Sequence, residues 1–420
     1  MTLLVISPDF ISHYSPLAVV ARAAMQAGQR VIFATGTNMA AHVKAEGFEW
    51  ILLQLSQAAN SGIAIQNPAI KRFLSATREG ALATICCQAL DREKDLLWQP
   101  VQVARQIAKL CEQIKPDHIL VDHISFGSTL GVYATGRNFT TLVPGHPSQL
   151  PVGHERYGLP AEWPTCMQPE ADLLMQQESI TDRVTATFTE RWNAALSEIA
   201  PTMKPIKDAF RVHGNQVLYN SPQDYHAVER SKNLPKHHQF VGPLVRDELL
   251  TAPYREWLDK ANNRPLVYVA LGTFLSHRAD VLIKLAQALE IAGTRVAMAI
   301  GANPKSLFKA LPECWLIEPS LPQVGLLWAA DLSIHHGGNN SVQEALAMGV
   351  RQIILPFSTD QFANAADLER SGLASVVSPN HICTTTLAKL ITHTLISPQP
   401  QPVMPLSGRH LALSLNSQEG

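Results

Sequence analysis

DLSIHHGGNNSVQEALAMGVRQIILPFSTDQFANA, residues 331–365, contains a complete strand, turn, helix and strand in succession. The apolar run over residues 331–335 reads as a buried strand ending in His335 and His336, after which Gly337 and Gly338 let the backbone turn tightly. Asn340 or Ser341 can cap a helix over residues 341–348, and Gly349 can close it. Residues 352–356 form the next strand. Such a turn aims the N–H groups of a helix N-terminus at the space beyond the strand, where the helix dipole also favours negative charge. His336 can add a donor, and a diphosphate suits the place. Tight glycine turns are common in α/β proteins, however, and the chain has neither the G-x-G-x-x-G nor the G-x-x-x-x-G-K-[ST] pattern.

The same theme recurs on both sides. Strands are expected at residues 3–7, 30–35, 118–122 and 140–143, and again at 266–271 and 295–300, with helices at 16–27, 101–114 and 281–292. For the first helix, Ser15 can cap and Pro16 suits the first turn. Residues 145–169 are rich in Pro, Gly, His and aromatics and read as surface loops. Scattered prolines over 220–265 separate the two patterned halves. The expectation is an α/β chain of two domains, residues 1–241 and 242–396, followed by a Pro-rich tail, 397–420, that is loosely held.

The chain has 420 residues, formal net charge -1 and 16% charged residues without basic or acidic blocks. This balance gives no electrostatic case for a nucleic-acid partner or an anionic membrane. No apolar run reaches the roughly 18 residues of a transmembrane segment, and the start lacks the basic n-region of a signal peptide, so a cytoplasmic location is expected. Six cysteines show no C-x-x-C spacing, and sixteen histidines include no H-E-x-x-H, so no metal site is expected.

Around the turn, Pro322-Gln323 precedes, Glu344 lies one helical turn inside, and Asp360-Gln361 with Asn364 follows the next strand. Here the sequence resembles the nucleotide-sugar-binding motif of the large glycosyltransferase family that includes plant and macrolide UDP-glycosyltransferases, closely over residues 317–373 and more weakly elsewhere. The resemblance implies the GT-B fold, two Rossmann-like domains facing across a cleft. It also implies that His336 and the backbone around Asn340 and Ser341 bind the donor's diphosphate, with Thr273 nearby, and that Gln323 and Gly338 belong to the donor-binding site. Glu344 would accept from ribose hydroxyls, and Asp360 and Gln361 would hold the sugar. The chain departs from the family pattern at Ser320, where an aromatic stacks on the base, at Asn339 in place of Trp, and at Arg351 in place of Pro.

A hydroxyl acceptor needs a base, and imidazole suits neutral pH. His13, in the loop after the first strand, corresponds to the family's catalytic histidine, with Ser12 in place of the usual glycine. Asp122 corresponds to its carboxylate partner. His13, Asp122, Thr273 and His336 all fall at carboxyl ends of strands, where ligands of open parallel sheets bind. The expected activity is inverting, metal-independent transfer of a hexose, glucose-like, from a UDP- or dTDP-sugar to a small lipophilic acceptor, with no cofactor. No D-x-D triplet occurs, and Gln352 stands where many retaining relatives of this fold carry a second Glu. Loops over 145–163 and residues 52–92 would shape the acceptor pocket, with His146, His154 and Tyr157 as contacts. Competing readings are a nucleotide-sugar epimerase or hydrolase, and a nucleotide-sugar-binding activator without turnover.

Overall fold

A computed structural model describes residues 1–56, 68–95, 97–260, 263–308 and 311–406. The part of the expected acceptor region at 57–67 and the tail at 407–420 lie outside the described residues. The first seven strands are β1 (Thr2–Ile6), β2 (Arg30–Thr35), β3 (Glu49–Leu52), β4 (His118–Asp122), β5 (Thr140–Val143), β6 (Gln216–Tyr219) and β7 (His238–Phe240). They form one parallel sheet in the order β3-β2-β1-β4-β5-β6-β7. The next six are β8 (Leu266–Ala270), β9 (Arg295–Ala299), β10 (Leu316–Glu318), β11 (Leu332–His335), β12 (Arg351–Ile354) and β13 (Ala374–Val376). These form a second parallel sheet, β10-β9-β8-β11-β12-β13.

Both orders reverse direction after their first strand, between β1 and β4 and between β8 and β11. At such a switch point the crossover helices leave to opposite faces and open a crevice beyond the strand ends. The fold is thus two Rossmann-like halves facing across a cleft, the GT-B arrangement.

Five helices matter for the site: α1 (Ile11–Gln26), α2 (Pro100–Ile114), α3 (Ala171–Ile199), α4 (Asn339–Ala347) and α5 (Thr359–Arg370). Side-chain alternation along β1 explains the layering. Leu3 and Val5 pack into one cluster with Tyr14, Leu17 and Ala21 of α1, whereas Leu4 and Ile6 pack into another with Val103, Ile107 and Cys111 of α2. β8 divides likewise, Val267 and Val269 facing one core and Leu266, Tyr268 and Ala270 the other. The 29-residue α3 buries Val184, Phe188, Trp192 and Leu196, a regular spacing of four that keeps them along one helical face.

The expected loose tail differs in its described part. Val403 N–H donates to Leu346 O and Leu406 N–H to Val241 O, which ties the second half back to the first. Gly349, at φ 65°, makes room for this segment, since a Cβ there would come within 2.6 Å of Pro400 O. Among the described residues no helix is long and apolar enough to cross a membrane.

Candidate active site

The chain leaves β1 at Ile6 and enters α1 at Ile11, with Phe10 in extended conformation as the N-cap. The helix therefore begins before the Ser15-Pro16 signal, and His13 lies in its first turn rather than in a preceding loop. Pro16 sits inside α1, where its missing N–H cannot serve the carbonyl four residues back. That carbonyl belongs to Ser12, and Asn340 Nδ2 donates to it at 2.9 Å from across the cleft.

His13 Nδ1 lies 2.8 Å from Asp122 Oδ2. Asp122 ends β4, is fully buried and also accepts from Ile124 N–H at 2.9 Å. Because an ionised carboxylate only accepts, Nδ1 carries the proton and Nε2 keeps the lone pair. Burial pulls the imidazole down, but the charge and hydrogen bond of Asp122, aided by Asp360 from the other half, outweigh it and leave His13 above its ordinary value. The His13 side chain keeps 20% exposure. Neighbouring His123, which sequence inspection missed, stacks at 6.5 Å from His13 and is pushed down to about 4 by burial, so it stays neutral at pH 7.

On the opposite side, β11 runs into His336 and Gly337 turns the chain at φ 86°. Asn364 Nδ2 fixes this turn by donating to Gly337 O at 2.9 Å. The cap of α4 is Gly338, in extended conformation and without a side-chain cap bond; neither Asn340 nor Ser341 caps the helix as expected. The first-turn amides thus keep their capacity for an anion. The His336 ring packs against two glycines: a Cβ would meet it at 2.9 Å from Gly272 and 2.4 Å from Gly338. Burial lowers His336 to about 4, with a hydrogen bond to the Ala270 carbonyl pulling the other way, so at pH 7 the ring of the free protein is neutral. His335 is structural, with Nδ1 accepting from Gly337 N–H at 3.0 Å and Nε2 bonded to Gln352 at 2.9 Å.

Asn339, where plant members have Trp, spends its amide on two carbonyls of the first half, Pro144 at 2.7 Å and Asn220 at 2.9 Å. Glu344 is 5% exposed and pairs with Arg246 at 3.2 Å. Gln323 Nε2 donates both to Glu344 and, at 3.1 Å, to Ser341 Oγ, while Tyr268 OH donates to Gln323 Oε1 at 3.2 Å. Burial raises Glu344 to about 7, with Arg246 and Gln323 only partly offsetting it. Arg246, in the connection between the sheets, carries no motif and was not foreseen.

Asp360 lies in the first turn of α5, whose start is a capping box of Ser358 and Gln361. Gln361 Oε1 accepts from Phe357 N–H at 2.9 Å and Ser358 N–H at 3.2 Å. Its carbonyl is therefore committed to the helix end, a correction to the expectation that the whole amide serves the sugar. Thr273 occupies a single helical turn, Gly272–Leu275, and is exposed.

These groups converge on one cleft of about 840 Å³, lined by every expected site residue except Asp122, which stands behind His13. The volume is in the range of small-molecule sites. Gln88, Gly145 and Gln149 also line it, so both expected acceptor segments reach the cleft. Three expected contacts do not line it. His146 is buried with Nε2 on Asp367 Oδ2 at 2.9 Å, His154 is solvent-exposed, and Tyr157 stacks on Phe210 at 4.1 Å. Tyr157 instead borders a smaller cavity beside Asp360. His226 Nδ1 also reaches Asp367 Oδ2, at 2.6 Å, forming a buried tie between the halves with no sequence signal.

The sequence model described as UDP-glucoronosyl and UDP-glucosyl transferase matches residues 164–412. The uncharacterized UDP-glucosyltransferase YojK of Bacillus subtilis is 23% identical over 193 residues, 46% of each chain, so the chain spans about half the length of that curated relative. The zeaxanthin glucosyltransferase of Pseudescherichia vulneris is 24% identical over 390 residues, 89% of this chain and 85% of the relative. Among solved structures, the glycosyltransferase VinC in complex with dTDP superposes with a TM-score of 0.65 at 16% identity, over 99% of this chain and 96% of the other; this likeness speaks to the fold. With more than half of its length matched by the family's own pattern and the matched part carrying the cleft residues of α4 and α5, the chain belongs to the UDP-glucoronosyl and UDP-glucosyl transferase family.

Proposed function

We propose that the protein transfers a hexose from a UDP- or dTDP-sugar to a hydroxyl of a small, lipophilic acceptor with inversion at the anomeric carbon. The observation that carries this reading is the facing of two switch points in one cleft: the His13–Asp122 pair on one side, and His336 with the uncapped start of α4 on the other. His13 Nε2 takes the proton of the acceptor hydroxyl as its oxygen bonds to the anomeric carbon. The bond from that carbon to the diphosphate oxygen breaks, and the nucleoside diphosphate leaves from the opposite face. Asp122 stabilises the imidazolium that forms.

Developing charge on the leaving diphosphate meets the α4 amides and the His336 ring, a preorganised stabilisation. The bound diphosphate itself would raise His336 by its negative charge. These donors make the transfer metal-independent in our reading. Glu344, already oriented by Gln323 and Arg246, accepts from the ribose, and Asp360 holds sugar hydroxyls. A cytoplasmic protein acting in natural-product biosynthesis fits these roles, as does the dTDP complex of VinC for the donor class.

The test is incubation with a panel of nucleotide sugars and hydroxylated aromatic or polyene acceptors, with product mass and anomeric configuration read out. One hexose added, with configuration opposite to the donor's, supports the reading. Rapid donor consumption without an acceptor points to a hydrolase or epimerase, and donor binding without product points to an activator.

A further inference from the structure

At the opposite end of the first sheet from the cleft, three histidines meet. His213 lies just before β6, and His237 and His238 open β7. The parallel register sets Val217 against His238, and Val217 N–H donates to His237 O at 3.0 Å. One ring nitrogen from each histidine lies within 4.8 Å of the others, and the ring centroids are 5.2, 5.0 and 4.7 Å apart.

Two of the three rings are held at Nδ1. His213 Nδ1 is 2.7 Å from Gly214 O, and since a carbonyl only accepts, Nδ1 carries the proton and Nε2 offers a lone pair. Gly214 is itself fixed: its N–H donates to Thr141 Oγ1 at 2.9 Å, and a Cβ there would come within 2.0 Å of Phe139 O. His238 Nδ1 is 2.8 Å from Tyr219 OH, while its Nε2 is buried without a partner. A buried nitrogen of this kind calls for a ligand. His237 is exposed and free to adjust its ring. The nearby Arg230, 5.9 Å from the Tyr219 ring centroid, has its charge matched by Glu155.

We propose that His213, His237 and His238 bind one divalent transition-metal ion of the zinc class, with water in the fourth position. Zinc–nitrogen bonds of about 2.0–2.1 Å place tetrahedral ligand atoms roughly 3.4 Å apart, so an ion would draw the three nitrogens together from separations that are now within 4.8 Å. Hydrogen bonds from the far ring nitrogens to a carbonyl and a hydroxyl are the outer contacts that metal-bound imidazoles require. The other cluster of this spacing, His146, His226 and Asp367, is built for hydrogen bonds instead. Ser148 N–H donates to His146 Nδ1 at 3.1 Å, which leaves the proton on the Nε2 that faces Asp367. An ion at the first cluster would clip edge strand β7 to the loop that leads into β6, far from the transfer chemistry.

The test uses untagged, chelator-stripped full-length protein, titrated with Zn²⁺ by calorimetry and with Co²⁺ by visible absorption. Expected are one ion per chain, tetrahedral Co²⁺ bands, and a loss of affinity of at least about tenfold in His237→Ala and in His213→Ala. His237 is exposed, so its variant folds as the parent does. Absence of saturable binding, binding unchanged in His237→Ala, or binding lost in His146→Gln but kept in His237→Ala overturns the proposal.

Discussion

His13 Nδ1 and Asp122 Oδ2 stand 2.8 Å apart across the gap between β1 and β4, with the carboxylate fully buried and the imidazole open to the cleft. The two residues are 109 positions apart in the chain and meet because β1 and β4 are neighbours in the sheet. Asp122 fixes which ring nitrogen carries the proton, and it raises the affinity of His13 for a second one.

Replacing Asp122 by Asn therefore has two signatures. The plateau of kcat/KM falls by about 10²–10⁴. The acid limb, which lies above the ordinary histidine value in the parent, moves to lower pH because burial then dominates. The stability linkage has the same sign. A raised folded-state pKa contributes stability that is complete below the unfolded value and is lost as pH rises through the folded one. Asn at 122 should thus cost more stability at pH 6 than at pH 9. A fall in rate with an unmoved acid limb would show that His13 is not the titrating base.

Glu344 behaves oppositely. Its carboxyl is raised from 4.5 to about 7 by burial, so between these values the unfolded chain binds fewer protons and stability falls as pH rises. Above pH 7 the full cost is about 3 kcal/mol. Glu344→Gln should raise the melting temperature at pH 8, since Arg246 retains Glu248 at 3.3 Å, while raising the donor KM at least about tenfold. A lower melting temperature at pH 8 contradicts this account.

Asn340 reaches the Ser12 carbonyl that Pro16 leaves without its helical partner. Asn340→Ala keeps the backbone amide of α4 but releases the turn that carries His13. Steady-state kinetics should show kcat down about tenfold or more, as small misplacements of reacting groups do, with the donor KM within about twofold. A changed KM with unchanged kcat would place the side chain on the donor instead.

Asp367 is held down to about 2, burial being outweighed by hydrogen bonds from His146 and His226. A depressed carboxylate contributes stability above its unfolded value and loses it as pH falls through the folded one. Asp367→Asn should therefore destabilise the protein by about 3–5 kcal/mol at pH 7, a deficit that narrows only below about pH 4. Chemical denaturation at several pH values measures it.

The donor half of the site was legible because its signals are local: a strand, two glycines and a helix within residues 331–365 set the diphosphate geometry directly. His13 was found by its position after β1, but its helical setting was missed because Ser15-Pro16 imitates a helix start, whereas Phe10 carries no capping side chain. Capping misled again at α4, where Gly338 takes the place expected of Asn340 or Ser341, and at Gln361, whose carbonyl serves the backbone. Asn339 and the His146–Asp367–His226 tie lay beyond reach, since their partners are set by how the two halves meet, and Arg246 because its partner Glu344 is 98 positions away with no local signal between them. The face of α3 was present in the sequence as Val184, Phe188 and Trp192, but its polar first half obscures it.

The measurement closest to the central claim compares the parent with His13→Ala at saturating donor and acceptor, following glycosylated product by mass and donor binding by calorimetry. The account predicts product formation reduced by at least about 10² with donor affinity unchanged, because His13 contacts the acceptor side while α4 holds the diphosphate. Undiminished product from His13→Ala would contradict it.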